Sequence, residues 1–325
     1  MKRIHRWLVR AGVLCAAAWP VVVHAQQGAY PSKPVVVVIP AGPGSVSETE
    51  GRIHLSRLGD ILGQQFILDF KGGGGGIVGL GHVARSAPDG YTLGLVSATY
   101  SLIPLRNTSM PFDRLNAFTT VSLLSKRWGL MMVHPSLPSN VADFVAYAKA
   151  NPGRINYGSS GMGSQQHLTG AWMASIAGLD LTYVHYKGAG PIVPDLLAGR
   201  VHMTPMTLTS GLPHLKSGKL KTLGLANTVR NPALPDIPTL HEQGWKDFEY
   251  SSWLGLIAPA KTPPAVVNLL SAELSRVVKS PEVVKRLSVE TDLVGSTPAE
   301  FARHVNVETE RWRVLLKTIG VTLDE

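Results

Sequence analysis

Residues 35 to 48 read VVVVIPAGPGSVSE, a short apolar run followed by small turn-forming residues and then by a polar segment. Four valines and an isoleucine in succession are typical of a strand buried on both faces. The proline, glycines and serines that follow predict a turn, and serine is a frequent cap at the start of a helix. The stretch therefore predicts a strand, a turn and a helix in that order.

The same order recurs along most of the chain after residue 35. Further strands are predicted at 66–70, 92–96, 155–159, 182–185, 202–206 and 222–226, with helical periods between them. The segment 264–279 spaces its apolar residues three and four apart, which predicts an amphipathic helix. Such alternation is the signature of an α/β fold with mainly parallel sheets and helices on both faces.

Two other strand-like segments, 129–133 and 253–257, bracket the middle of the chain. The block between them has about 120 residues, enough to fold as a unit of its own. We therefore expect two lobes, the first built from 26–128 with 253–325 and the second from 129–252. Open parallel sheets bind ligands at strand ends, so we expect a ligand cleft between the lobes.

The first 25 residues have the features of a secretory signal peptide: a basic start, an apolar run at 11–23 and Ala25 at a small-residue cleavage site. The run has about 13 residues, short of the roughly 20 that span a bilayer. We therefore expect a periplasmic mature protein that begins at Gln26. Cys15, the only cysteine, lies within this segment behind a leucine, which argues against a lipid anchor and leaves the mature chain without a disulfide.

The charge of the chain is mildly basic. Removing the four Lys and Arg of the signal segment from the 31 in the whole chain leaves 27 against 22 acidic residues, a net charge of +5. These charges form no block, which argues against nucleic-acid binding and weakly favours an acidic small molecule.

The glycine run KGGGGGIVGLG at 71–81 contains the G-x-G-x-x-G spacing of dinucleotide-binding loops. Such a site also needs an acid at the end of the next strand, but that strand is followed by Ser97, Ala98 and Thr99. A P-loop needs its lysine after the glycines, whereas Lys71 precedes them. A structural turn between strand and helix is the favoured interpretation.

Signatures of catalysis and metal binding are missing from the sequence. The eleven histidines are scattered, and no H-E-x-x-H motif occurs. The stretch GSSGM at 158–162 has a methionine where the nucleophile elbow needs glycine. We therefore predict no enzyme activity, no cofactor and no metal site.

Three turns, at 40–48, 97–101 and 157–167, place glycine and hydroxyl residues between the end of a strand and the start of a helix. Free backbone N–H groups at a helix start, together with serine hydroxyls, can hold a carboxylate without a buried cation. Any one such turn is an ordinary cap, but three together indicate an anion site.

The chain resembles the Bug family of periplasmic solute-binding proteins, which serve tripartite tricarboxylate transporters. The matching motifs are YPSKP at 30–34, APDGYTL at 87–93, NYGSSG at 156–161 with Gly163, Ser164 and His167, YKG at 186–188, LPHLKSGKL at 212–220, LPDIPT at 234–239 and SWLGLIAP at 252–259. The resemblance implies a two-lobed α/β periplasmic binding fold, type II-like, that closes on a small carboxylate-bearing solute and delivers it to membrane permease subunits.

The resemblance also shows where this chain departs from the family pattern. Glu48 stands where the first loop of the family has aspartate, and Met206 stands where an acid is frequent. The loss of that acid implies a solute that is less polar or bulkier than an amino acid. Gln165 and Gln166 replace frequent small hydroxyl residues and could add hydrogen bonds.

We predict a binding site formed by loops of both lobes. In the first lobe it comprises Gly44, Ser45, Val46, Ser47, Glu48, Ser97, Ala98 and Thr99. In the second it comprises Ser159, Ser160, Gly161, Gly163, Ser164, Gln165, His167, Lys187, Gly188, Ala189, Gly190 and Met206. We expect a monomer whose partners are a small organic acid and a permease. Two alternatives stay open, a binding protein that serves a sensor kinase and an exported enzyme.

Overall fold

A computed structural model describes residues 30–106, 109–250 and 252–323, so the predicted signal peptide and its cleavage site lie outside the described residues. The strands are β1 (Val35–Ile39), β2 (Phe66–Phe70), β3 (Thr92–Ser97), β4 (Phe118–Arg127), β5 (Gly129–Val133), β6 (Ile155–Ser159), β7 (Leu181–His185), β8 (Met203–Thr207), β9 (Lys221–Leu225), β10 (Ser252–Pro259) and β11 (Thr291–Leu293). The helices are α1 (Val46–Leu62), α2 (Ile77–Arg85), α3 (Val141–Ala150), α4 (Gln165–Ala177), α5 (Ile192–Leu197), α6 (Leu208–Lys216), α7 (Pro264–Val277), α8 (Pro281–Leu287) and α9 (Pro298–Ile319).

The strands form two mixed sheets, of six strands in the order β11-β4-β10-β3-β1-β2 and of five in the order β7-β6-β8-β5-β9. Only β1 with β2 and β3, and β6 with β7 and β8, pair in parallel. The remaining pairs, made by β10, β4 and β5, are antiparallel. The α/β class and the two lobes are confirmed, but the prediction of mainly parallel sheets is wrong.

The antiparallel pairs follow from the two passages of the chain between the sheets. The chain leaves β4 and enters β5 through Trp128, and it returns to the first sheet at β10. Because β5 and β10 begin at these crossings, they run away from the crossings and are antiparallel to the strands beside them. Gly129 pairs with Thr207, and Leu254 pairs with Ser97, so the carboxyl ends of β8 and β3 lie at the crossings.

Each sheet is covered on both faces by apolar side chains. In the first sheet, α1 and α7 cover one face with residues such as Leu58 and Leu270, while α9 contributes Phe301 to the other. In the second sheet, Phe144 of α3 and Leu212 of α6 lie in two separate clusters. Each fully buried side chain of this kind contributes roughly 1.5–3 kcal/mol to folding, so both lobes have a core that can support a rigid site.

The glycine run has a structural explanation in the packing of α2 on the first sheet. Gly76, with φ of 99°, precedes the helix in a left-handed conformation that glycine adopts without strain. A Cβ on Gly79 would lie 2.7 Å from the carbonyl oxygen of Lys71 and 2.8 Å from the Cα of Pro40. The absence of side chains here lets α2 approach the backbone that follows β1.

Helix α9 belongs to the first lobe and also contacts the second. It packs against β4 and against α4. Trp312 of α9 shares an apolar cluster with Leu168 of α4, and the Arg311 guanidinium lies 2.6 Å from the Glu249 carboxylate. The lobes are therefore joined by a third connection besides the two crossings. Among the described residues, no helix is both long enough and apolar enough to cross a membrane.

Candidate functional site

The loops predicted to bind the ligand follow strands that end on the side of the crossings. β1 leads into the loop before α1, β3 into the 3₁₀ segment Ala98–Leu105, β6 into the loop before α4, and β8 directly into α6. Since these strands run toward the crossings in both sheets, the loops of each lobe lie at the end of that lobe nearest the crossings. The starts of α1, α4 and α6, with their free N–H groups, lie at these ends.

The loop before α1 is closed by two reciprocal hydrogen bonds. The Ser45 hydroxyl accepts from the backbone N–H of Glu48 at 3.2 Å, and the Glu48 carboxylate accepts from the backbone N–H of Gly44 at 2.7 Å. The Arg52 guanidinium also donates to Glu48 at 2.7 Å. The Gly44 N–H and then the Arg52 side chain lower the pKa of Glu48. The acid thus stabilises the loop, which a ligand carboxylate would meet through the N–H groups of Val46 and Ser47.

The loop before α4 is closed in the same way, with histidine in place of the acid. The Ser164 hydroxyl accepts from the backbone N–H of His167 at 3.2 Å, and the backbone N–H of Gly163 donates to His167 Nδ1 at 3.1 Å. Burial, and then the nearby His185 ring, lower the pKa of His167. The lowered pKa agrees with this geometry, because an Nδ1 that accepts the Gly163 N–H carries no proton.

Both capping serines keep a proton that they can donate. A hydroxyl has one O–H donor and two acceptor lone pairs, and the cap uses only one lone pair. The hydroxyl of Ser160, which is half-buried, makes no hydrogen bond within the described part of the chain. These groups can hold an anion by charge-assisted hydrogen bonds, with no buried cation in the loops themselves.

Ser159 lies deeper than its neighbours in this loop. Its side chain is fully buried at the end of β6, and its hydroxyl lies 2.6 Å from His185 Nδ1. The two histidines, His167 and His185, pack edge to face with ring centroids 4.9 Å apart. This contact fixes the base of the loop whose rim carries Ser160 and Gly161.

The turn that follows β3, at 97–101, offers fewer side chains to a ligand than the sequence indicated. Ala98 is buried, and its carbonyl oxygen accepts from the Ser101 hydroxyl at 2.7 Å. Thr99 is half-buried and Ser97 ends β3. Ser97 and Thr99 can therefore offer side chains at the crossing side, whereas Ala98 offers its backbone.

The remaining predicted site residues fall into two environments. Lys187, Gly188, Ala189 and Gly190 form the loop that follows β7, which is exposed except at half-buried Gly188. Met206 pairs with Leu130 in the sheet, and its side chain is 5 % exposed within the apolar cluster that includes Trp128. Where the family frequently has an acid, this chain thus has a core side chain beside a crossing.

Gln166 was expected from the sequence to add hydrogen bonds, but the burial of one of its polar atoms was not expected. Gln166, in the first turn of α4, donates from Nε2 to the carbonyl oxygen of Pro205 at 2.9 Å, while its Oε1 is buried without a partner. Neighbouring Gln165 is also buried. The residue type hinted at hydrogen bonding, but the burial depends on β8, about forty residues away.

A groove of about 1080 Å³ lies elsewhere, beside α1, the edge strand β2 and α8. Its lining includes Ser56, Gln65, Ile67 and Arg286. Of the predicted site residues it touches only Glu48. The groove lies on the outer edge of the first sheet and reaches the predicted loops only at Glu48, so we do not assign the ligand to it.

A family profile, that of the tripartite tricarboxylate transporter family receptor, matches residues 52–321. The chain belongs to this family. The receptor is 30% identical to the protein BugT of Bordetella pertussis over 302 residues, which are 90% of this chain and 91% of BugT. The predicted Bug-family membership is therefore confirmed. The family comprises periplasmic solute-binding receptors and not enzymes, which also confirms that prediction.

Solved structures with bound acids are similar to the receptor. An R. palustris protein with adipate has a TM-score of 0.84 and 31% identity, covering 90% of this chain and 99% of that one. MatC from Rhodopseudomonas palustris with bound malate has a TM-score of 0.80 and 28% identity, covering 88% and 100%. Among the described residues of the receptor, no cluster of three or more His, Cys, Asp or Glu side chains could hold a metal ion.

Proposed function

We propose that the receptor captures a small carboxylate-bearing solute between its two lobes and delivers it to the membrane permease subunits of a tripartite tricarboxylate transporter. The observation that carries the proposal is the pair of matching loops before α1 and α4. Each has a serine cap with a free proton to donate and a helix start with free N–H groups. Adipate and malate in two similar structures support a carboxylate as the ligand class.

We also propose that the ligand contacts come from the residues named in the sequence analysis, with Met206 acting only through packing. The protein acts as a monomer, exported through cleavage after Ala25, and its first lobe comprises 26–128 with 253–325. Service to a sensor kinase remains a second role for the same loaded receptor, and no described residue favours it over transport.

The proposal is tested by a thermal-shift screen of the purified receptor against mono-, di- and tricarboxylates. A ligand that binds only the folded state raises the unfolding midpoint. Ser160→Ala and Ser164→Ala should then each remove one hydrogen bond to a charged group, worth about 1.5–3 kcal/mol, and weaken binding about ten- to a hundredfold. Titration calorimetry measures the affinity.

Ser280→Ala is a matched control, because Ser280 is also the residue before a helix and its hydroxyl donates only to the carbonyl oxygen of Val277. Its affinity for the same acid should stay unchanged. Unchanged affinity in both Ser160→Ala and Ser164→Ala would refute the assignment of the loops, and a panel without any stabilising acid would refute the ligand class.

A further inference from the structure

The carboxamide of Gln166 lies between the first turn of α4 and the crossing-side end of β8. Its Nε2 donates to the carbonyl oxygen of Pro205, two residues before the end of that strand. Its backbone carbonyl accepts from the Tyr157 hydroxyl at 2.8 Å. Gln166 is 5 % exposed, and hydrogen bonds hold both its backbone and its side chain.

The orientation of the carboxamide is fixed by this environment. Nitrogen and oxygen of an amide side chain are assigned from the hydrogen bonds they make. The atom that faces Pro205 meets a carbonyl oxygen, which only accepts, so it must be the nitrogen. The other corner of the group is therefore the oxygen Oε1, an acceptor that has no partner in the described part of the chain.

A buried acceptor without a partner is destabilising, and native proteins usually pair such groups. The position is next to the loop Gly161–Ser164, in the helix turn whose N–H groups we assign to the ligand carboxylate. A donor on the ligand, close to that carboxylate, would pair with Oε1. A carboxylate oxygen itself could not, because it accepts only.

We infer that Gln166 is a specificity-determining residue, selecting acids that carry a hydrogen-bond donor, a hydroxyl or an ammonium, next to a carboxylate. This inference rests on the proposed function and narrows its substrate class. A plain carboxylic acid would still bind the loops but would leave Oε1 unpaired, whereas a hydroxy acid would satisfy it.

The test compares acids that differ only in the donor. Malate, aspartate and succinate have the same four-carbon diacid frame, with a hydroxyl, an ammonium and no donor respectively. Lactate with propionate and citrate with tricarballylate extend the comparison to other sizes. Titration calorimetry on the full mature receptor should give about three- to tenfold tighter binding for the donor-bearing member of whichever set binds. Comparing malate with aspartate shows whether a hydroxyl or an ammonium is the preferred donor.

In Gln166→Met, which has a similar length and removes both polar atoms, the advantage of the donor-bearing acid should disappear, so that the two members of a set bind about equally. Gln243→Met is the matched control, since Gln243 also lies in the second lobe but has both ends paired, Nε2 with Leu223 and Oε1 with Val141. Its preference should equal that of the unmodified receptor, and circular dichroism checks that both variants are folded.

The outcomes separate the two proposals. Equal affinity for donor-bearing and plain acids in the unmodified receptor overturns the role of Gln166 but leaves carboxylate binding intact. This comparison uses the unmodified receptor alone, so it does not depend on whether a variant folds. A preference that survives Gln166→Met also overturns it. Failure of every acid in all sets refutes the proposed function itself.

Discussion

Replacing Glu50 by glutamine should destabilise the first lobe strongly, because it breaks a buried ion pair next to a crossing. Glu50 lies in α1, and its carboxylate is 2.6 Å from Arg127 Nε at the end of β4. The Ser125 hydroxyl also donates to the carboxylate, and His54 Nε2 lies 3.5 Å from it. Both side chains of the pair are almost fully buried, at 4 % and 2 % exposure.

The magnitude follows from the ionisation of Glu50. Burial alone would raise its pKa, but the Arg127 charge, followed by His54 and Ser125, holds it down to about 2 against an ordinary value of 4.5. At 1.36 kcal/mol for each pKa unit, the folded state gains about 3 kcal/mol from the charged carboxylate. Removing one partner of a buried pair typically costs about 3–5 kcal/mol, since the other charge is left unpaired.

Urea unfolding followed by tryptophan fluorescence measures this loss at neutral pH. Because the pKa of Glu50 is lower in the folded state, the stabilisation is present above pH 4.5 and is lost as the pH falls toward about 2. The difference between the unmodified protein and Glu50→Gln should therefore shrink over that range. Combining Glu50→Gln with Arg127→Met should recover part of the loss at neutral pH, because no buried charge remains unpaired.

Glu282→Gln provides the control, since Glu282 is 62 % exposed and 3.9 Å from Arg286. Exposed pairs contribute at most about 1 kcal/mol. If Glu50→Gln unfolds at the same urea concentration as Glu282→Gln, the buried pair does not stabilise the fold and the reasoning is refuted.

Three further measurements check other features. In urea unfolding, Gly79→Ala should lower the free energy of unfolding by about 1–3 kcal/mol, because the new Cβ would meet backbone atoms. Gly42→Ala has open space around the new Cβ and should change the free energy of unfolding by less than about 0.5 kcal/mol. Burial, and then the charge of Lys126, lower the pKa of His304 from 6.5 to about 4, so the free energy of unfolding should fall as the pH drops through that range. His304→Gln should remove this part of the pH dependence, and an identical pH profile in the variant would contradict it. Saturating ligand should close the lobes through the crossings and reduce the radius of gyration seen by solution scattering, so an unchanged radius would count against closure.

Local sequence patterns were sufficient for most of the individual strands. β1, β2, β5 and β6 begin and end where the apolar runs predict, because each run is short and is bounded by glycine, proline or polar residues. The pattern did not reveal β4, in which buried Ser122 and Ser125 interrupt the apolar residues. Those hydroxyls are satisfied by the Ser296 carbonyl and by Glu50, partners far away in the sequence.

Strand direction was harder to predict than strand position. It depends on where the chain passes between the lobes, and no local pattern records which neighbour β10 will join.

The candidate site likewise has features that local sequence predicts and features that depend on distant contacts. Serine and glycine after a strand indicated the loops, and Ser45 with Glu48 even has the spacing of a capping box, which would have indicated that the acid binds its own loop. The unpaired oxygen of Gln166 arises only when α4 packs on β8.

The position of β10 between β3 and β4 has a consequence for how the molecule assembles. Every strand of the second sheet lies within residues 129–225, so that sheet can form from one continuous stretch of chain. The first sheet must leave a gap between β3 and β4 until residues 252–259 have been made. Until then, β3 and β4 each have an edge without its partner strand, and such edges favour aggregation. A chaperone bound to β3 and β4 would cover these edges until β10 pairs with them.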